Sequence, residues 1–84
     1  MKLPSQPVTL TVEQITELNR KLSTLRHDTN NNLSLIMAAL ELIRAKPDTL
    51  ERMIATCADQ PAKISQAMIN FSSDLEKALG IGPT

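Results

Sequence analysis

The sequence predicts an all-α fold, an antiparallel two-helix hairpin that dimerises into a four-helix bundle. Hydrophobic residues make up 42% of the chain, but Phe71 is the single aromatic residue. The core must therefore be built from Leu, Ile, Met and Ala, which favours helices over sheets. Apolar residues recur at alternating steps of three and four along two long segments, as expected for helices with one packed face. The tripeptide Lys46-Pro47-Asp48 between the segments predicts a tight turn.

The first helix is predicted to begin after Thr11, because Thr11-Val12-Glu13-Gln14 has the form of a capping box. It is predicted to end at Lys46, since the residue before a proline is pushed out of the helical region. Residues 1–10 are expected to form an extended N-terminal arm. The first apolar stripe consists of Ile15, Leu18, Leu22, Leu25, Thr29, Asn32, Ile36, Ala39 and Ile43.

The second helix is predicted to begin with Asp48 as its N-cap, in a second capping box that ends at Glu51. Pro61 predicts either a kink or a break into two shorter helices, and the continuous stripe on both sides favours a kink. Leu79-Gly80 predicts a helix end with a left-handed glycine, so the hairpin domain covers residues 11–80 and a flexible tail covers 81–84. The second apolar stripe consists of Leu50, Ile54, Cys57, Pro61, Ile64, Met68, Phe71, Leu75 and Ala78.

A single hairpin of this size cannot cover its own apolar surface, and two-helix layers rarely fold unaided. Between residues 33 and 43 only Ser34 and Glu41 are polar, so this part of the helix must touch more than one neighbour. We therefore expect a symmetric homodimer with the four-helix-bundle architecture.

Composition disfavours several classes of partner. Nine basic and nine acidic residues give no positive excess for a nucleic-acid backbone, and there is no aromatic platform for bases. Residues 1–5 have no apolar core of signal-peptide length, and the longest apolar run, residues 35–40, is too short to span a bilayer. With Cys57 alone, no internal disulfide is possible. We expect no nucleic-acid or membrane partner and a cytoplasmic location.

The only histidine, His27, lies in the run Leu-Arg-His-Asp-Thr-Asn-Asn-Asn-Leu at residues 25–33. Neutral imidazole is a good nucleophile at cellular pH. The adjacent Asp28 can hold one ring nitrogen protonated and leave the other with a free lone pair. Asn31, one turn later, lies over the same helix surface and could position a water or a phosphoryl oxygen. The heptad places His27 at position f, towards solvent, and no metal site is expected because no second histidine or cysteine is near.

Three apolar residues, Leu35, Ala38 and Leu42, continue the line of Asn31 at steps of three and four. An apolar strip that leads away from an exposed reactive residue is typical of a docking surface. The same strip could instead pack inside the hairpin.

Residues 25–33 resemble the phosphoacceptor motif of the dimerisation and histidine-phosphotransfer domain of sensor histidine kinases, and the architectural resemblance covers residues 12–79. It implies that His27 is phosphorylated, that Asp28 orients the imidazole and helps accept its proton, and that Asn31 positions water when the domain acts as a phosphatase. It also implies a receiver domain as partner. The chain itself would carry no cofactor, and Mg²⁺ is expected only in the receiver.

The sequence departs from that family in two ways. Asn32 stands where the family often has proline, so the resemblance does not imply a helix bend there. The two glycines cannot form a nucleotide-binding loop, so we expect that the chain is not a self-sufficient kinase. A phosphoryl group would come from a separate histidine kinase or from a receiver.

Three hypotheses follow from the sequence. The first, which we favour, is a histidine phosphotransfer module of a two-component signalling pathway that works through His27. The second is a non-catalytic dimeric adaptor or regulatory bundle, derived from a histidine kinase, in which the motif is idle. The third is an unrelated coiled-coil hairpin with an accidental likeness.

Overall fold

All regular secondary structure in residues 3–81, the part of the chain that a computed structural model describes, is helical. Helix α1 spans Val12–Ala45, α2 spans Leu50–Ala58 and α3 spans Gln60–Leu79, with a 3₁₀ turn at Pro47–Thr49 between α1 and α2. Helix α1 packs against both α2 and α3. The all-α class is confirmed. The first two residues of the predicted arm and residues 82–84 of the predicted tail lie outside the described residues.

Three helix ends follow the sequence predictions. The Gln14 N–H donates to Thr11 Oγ1 at 3.1 Å, and the Thr11 N–H donates to Gln14 Oε1 at 2.8 Å, which completes the predicted capping box. Helix α1 ends at Ala45 with Lys46 as its C-cap, directly before the proline. Gly80 has a φ of 70°, and the Ile81 N–H donates to the Glu76 carbonyl at 3.0 Å, a glycine-terminated C-cap.

The prediction that Asp48 caps the second helix is wrong. Asp48 lies inside the 3₁₀ turn, and the residue before α2 is Thr49. The turn exists because Pro47 has a fixed φ suited to the first position of a helical turn and lacks an N–H that would need a partner. Thr49 is buried, and its hydroxyl donates to the Lys46 carbonyl at 2.7 Å. Its side chain therefore closes the turn.

The second long segment is two helices, so of the two outcomes predicted at Pro61 the structure shows the break and not the favoured kink. Pro61 has no N–H to donate to the Cys57 carbonyl, which instead accepts from the Asp59 N–H. Asp59 lies between α2 and α3 but keeps right-handed helical angles, φ −84° and ψ −19°. The interruption is thus confined to a single residue.

Burial follows most of the first predicted stripe but only part of the second. On α1 the buried Ala39 and the half-buried Leu25 and Ile36 lie on the stripe, whereas Ile15 and Leu22 are exposed. On α2 the half-buried residues are Met53, Thr56 and Cys57, so the packed face is shifted away from the stripe members Leu50 and Ile54. The exposed members of the second stripe are Leu50, Ile54, Pro61 and Met68.

The described chain forms a single helical layer, 57 × 25 × 12 Å along its principal axes. Among the described residues Ala39, 3% exposed, is the one buried hydrophobic residue, and no large side chain is fully buried. The accessible surface is 6420 Å². Compact monomers of 9.2 kDa expose about 4900 Å². Within residues 3–81 no helix is both long enough and apolar enough to cross a membrane.

Thr49→Val should lower the free energy of unfolding by about 1 kcal/mol, because it removes the buried hydroxyl that donates to the Lys46 carbonyl while keeping the side-chain volume. Urea denaturation at a fixed protein concentration measures the change. Asp48→Ala is the matched control, since Asp48 is exposed, and it should cost under about 0.5 kcal/mol. A larger loss for Asp48→Ala than for Thr49→Val would contradict the assigned turn.

Candidate functional site

His27 stands on the exposed side of α1, with its side chain 73% accessible to solvent. This agrees with the predicted position off the apolar stripe. The ring Nδ1 lies 3.5 Å from Oδ1 of Asp28, whose side chain is 55% exposed. That distance is at the outer limit of a hydrogen bond, so the carboxylate biases the ring without fixing it. The arrangement favours a proton on Nδ1 and a free lone pair on Nε2.

The polar residues around His27 divide between two sides of α1. Asn30 and Asn31 are exposed, and Asn31 lies one turn beyond His27 on the same helix surface. Thr29 and Asn32 are half-buried on the side that packs against the rest of the chain, and Thr29 Oγ1 is buried without a hydrogen-bond partner. The predicted stripe is therefore polar at the level of the histidine.

A groove of about 210 Å³ runs between α1 and α3, and Asp28 is one of the residues that line it. Its α1 wall includes Lys21, Thr24 and Asp28, and its α3 wall includes Asn70 and Asp74. Lys21 Nζ lies 3.2 Å from Asp74 Oδ2, an ion pair that joins the first half of α1 to the second half of α3. Asp28 therefore lies near the His27 imidazole and also lines the groove.

Sequence reasoning did not find the groove. One signal was present: Lys21 and Asp28 both fall at position g of the heptad, where charged side chains flank a packed stripe and meet a neighbouring helix. The sequence does not show that Asp74 on α3 is the partner of Lys21, because the interruption at Asp59 changes how α3 packs against α1.

Arg20, at the rim of the groove, is held by Glu17 one turn earlier. The Arg20 Nε donates to Glu17 Oε2 at 3.0 Å, and a second guanidinium nitrogen contacts Oε1. This hydrogen bonding lowers the pKa of the Glu17 carboxyl and raises the pKa of Arg20. Both cations that border the groove, Arg20 and Lys21, are thus paired with acids of the same chain.

The three residues predicted to form a docking strip are placed differently from one another. Leu35 is 48% exposed and Ala38 is also exposed, whereas Leu42 is half-buried. The alternative that the strip packs inside the hairpin is therefore wrong for Leu35 and Ala38. The structure leaves these two accessible on the same flank of α1 as Asn31.

In residues 3–81 no three His, Cys, Asp or Glu side chains come close enough to hold a metal ion. Comparisons of the chain with protein-family models, with curated proteins and with solved structures give no match.

Proposed function

We propose that this chain is a histidine phosphotransfer module, in which an antiparallel helix hairpin pairs with a second copy and presents His27 to a receiver-domain partner. The observation that carries the proposal is the exposed imidazole with an acid 3.5 Å from Nδ1 and an amide one turn later. The rest of the chain supplies a helical support, and the groove between α1 and α3 is lined by Asp28, the residue after His27.

For the transfer step the protein needs only to expose the His27 ring to the phosphoryl donor and to accept its proton. The Nε2 lone pair of His27 attacks the phosphorus of a donor, an N–P bond forms, and the P–O bond to the donor breaks. The Nδ1 proton then leaves towards Asp28 or water, which gives a neutral phosphoimidazole ring. In the return step an aspartate oxygen of a receiver attacks the phosphorus, the N–P bond breaks, and the imidazole takes up a proton. A metal ion in the receiver would neutralise the charge that develops.

An exposed site suits this chemistry because the phosphorylated ring must reach into the active site of another protein. An enzyme that bound a small substrate would need to exclude water and enclose it, and typical small-molecule pockets, about 300–1000 Å³, are larger than the 210 Å³ groove that Asp28 lines. The exposed Leu35 and Ala38 extend from the ring as an apolar contact for such a partner.

A second candidate function is a non-catalytic dimeric adaptor. The large accessible surface and the small core favour association with another chain whether or not His27 carries phosphate. The two functions predict the same fold and differ only in whether His27 is phosphorylated.

Incubation with a panel of histidine kinases and radiolabelled ATP, or with receiver domains that carry phosphoaspartate, should label the chain with an acid-labile, base-stable phosphate. His27→Gln should abolish the label, because the chain has one histidine. It should leave the circular dichroism spectrum and the molecular mass unchanged, because the ring is exposed. A label that persists in His27→Gln would refute the assigned acceptor. If no donor labels the wild type, and the variant keeps every partner interaction, the adaptor function replaces phosphotransfer.

Asp28→Asn should slow labelling by about one to two orders of magnitude, because the amide cannot accept the Nδ1 proton. Single-turnover kinetics measure the rate, and Asp48→Asn is the control for loss of one exposed charge. Equal rates for Asp28→Asn and the wild type would remove Asp28 from the mechanism.

Asn31→Ala should leave labelling of His27 intact but slow the hydrolysis of a receiver's phosphoaspartate, because the amide that would position water is lost. Release of inorganic phosphate measures this step. Asn30→Ala, next along the helix on the other flank of His27, is the matched control and should hydrolyse at the wild-type rate. Equal hydrolysis by Asn31→Ala and Asn30→Ala would exclude a role specific to Asn31.

A further inference from the structure

Arg26, the residue before His27, differs from the two cations that border the groove in having no acid beside it. Those two, Arg20 and Lys21, are each paired with a carboxylate. Arg26 belongs to none of the ion pairs within residues 3–81, and its guanidinium contacts only the Ser23 hydroxyl, to which it donates over 3.4 Å. A hydrogen bond of that length is weak, so the guanidinium can leave Ser23 at little cost.

The usual partner of an exposed arginine on a helix is missing at Arg26. Such an arginine normally pairs with a carboxylate three or four residues away. Here those four positions hold Leu22, Ser23, Thr29 and Asn30. The exposed guanidinium therefore makes no ion pair along α1 and is accessible to an anion from outside the helix.

The contact with Ser23 brings the guanidinium of Arg26 towards the side of α1 that displays His27. Ser23 precedes His27 by one turn and lies about 40° from it around the helix. The charge of Arg26 therefore lies over the turn before the imidazole. Asp28 lies on the opposite flank, with its Oδ1 3.5 Å from the ring Nδ1. Arg26 and Asp28 are about 100° to either side of His27 around the helix, so the ring stands between a cation and an acid.

A phosphoryl group on the ring would interact in opposite ways with these two neighbours. It carries about two negative charges near neutral pH, which the Asp28 carboxylate repels. During phosphoryl transfer the charge spreads over three equatorial oxygens, and a guanidinium can pair with two of them at once. Arg26 can do so without first giving up an ion pair, because its present partner is a neutral hydroxyl.

We propose that Arg26 binds the phosphoryl group at Nε2 of His27, both while the N–P bond forms and in the phosphohistidine that results. The inference rests on the proposed phosphotransfer function, to which it adds a phosphoryl-binding residue. In the free protein the guanidinium rests on Ser23, and it exchanges that contact for two phosphoryl oxygens when His27 reacts. Arg26 thereby offsets the repulsion between Asp28 and the incoming phosphoryl group.

Potassium phosphoramidate, a small phosphoryl donor that needs no partner protein, tests the proposal. The Nε2 lone pair attacks phosphorus, an N–P bond to the ring forms, and the P–N bond of the reagent breaks with release of ammonia. Arg26→Gln should slow this reaction about 10-fold, less than an arginine in an enclosed site contributes, because water screens an exposed charge. Arg26→Lys keeps the charge but loses the planar fork, so its rate should lie between the two. Phosphorus NMR of the phosphohistidine measures the rates.

Arg44→Gln is the matched control for the loss of one positive charge. Arg44 is exposed and follows Arg26 by about five turns, so it lies on the same side of α1 but about 27 Å farther along the helix. This variant should be phosphorylated at the wild-type rate.

Diethyl pyrocarbonate separates an effect on the phosphoryl group from an effect on the ring itself. This uncharged reagent acylates neutral imidazole, and His27 is the one histidine of the chain. Arg26→Gln should react with it at the wild-type rate, because the reagent brings no negative charge for a guanidinium to bind.

Equal phosphorylation rates for Arg26→Gln and the wild type would overturn the proposal. So would the same slowing by Arg44→Gln, or a slowing of both reagents by the same factor in Arg26→Gln. If circular dichroism shows that Arg26→Gln does not fold, Arg26→Lys decides, since it should slow the reaction with phosphoramidate alone. Neither reagent needs a kinase or a receiver, so a failure of Arg26 to assist and a failure of protein donors to label His27 are separate outcomes.

Discussion

Every other feature of this chain depends on the packing of one long helix against two shorter ones in a layer a single helix deep. Such a layer can bury only the strip where its helices meet, and here that strip encloses Ala39 and leaves its larger neighbours half-covered. Half-covered leucine and isoleucine side chains contribute only part of their transfer free energy. Much of the apolar surface of the three helices therefore stays exposed to solvent in the single chain.

The packed side of α1 is polar at the level of the histidine. Thr29 and Asn32 occupy the packed side of α1 at the level of the ring, in positions that elsewhere hold leucine or isoleucine. The unpartnered hydroxyl of Thr29 adds a cost of about 1–3 kcal/mol to that level. Polar residues on the packed side are not confined to this level, since the buried polar residues Thr49 and Gln60 lie elsewhere in the described chain.

The features that the sequence predicted correctly are those fixed by a few adjacent residues. The Thr11 cap, the end of α1 before Pro47 and the Gly80 helix end each depend on backbone chemistry within one turn. The same local rule predicts Asp48 as an N-cap, but Asp48 lies inside the 3₁₀ turn that begins at Pro47, and α2 begins at Leu50. The interruption at Asp59 and the groove between Lys21 and Asp74 depend on how helices settle against each other. Neither follows from residue spacing.

The beginning and the end of the described chain lie side by side. Residues 3–8 and 79–81 together line a cleft of about 370 Å³, at the opposite end of the long axis from the Pro47–Thr49 turn. The arm before α1 therefore packs beside the end of α3, and His27 lies farther along α1, away from this cleft.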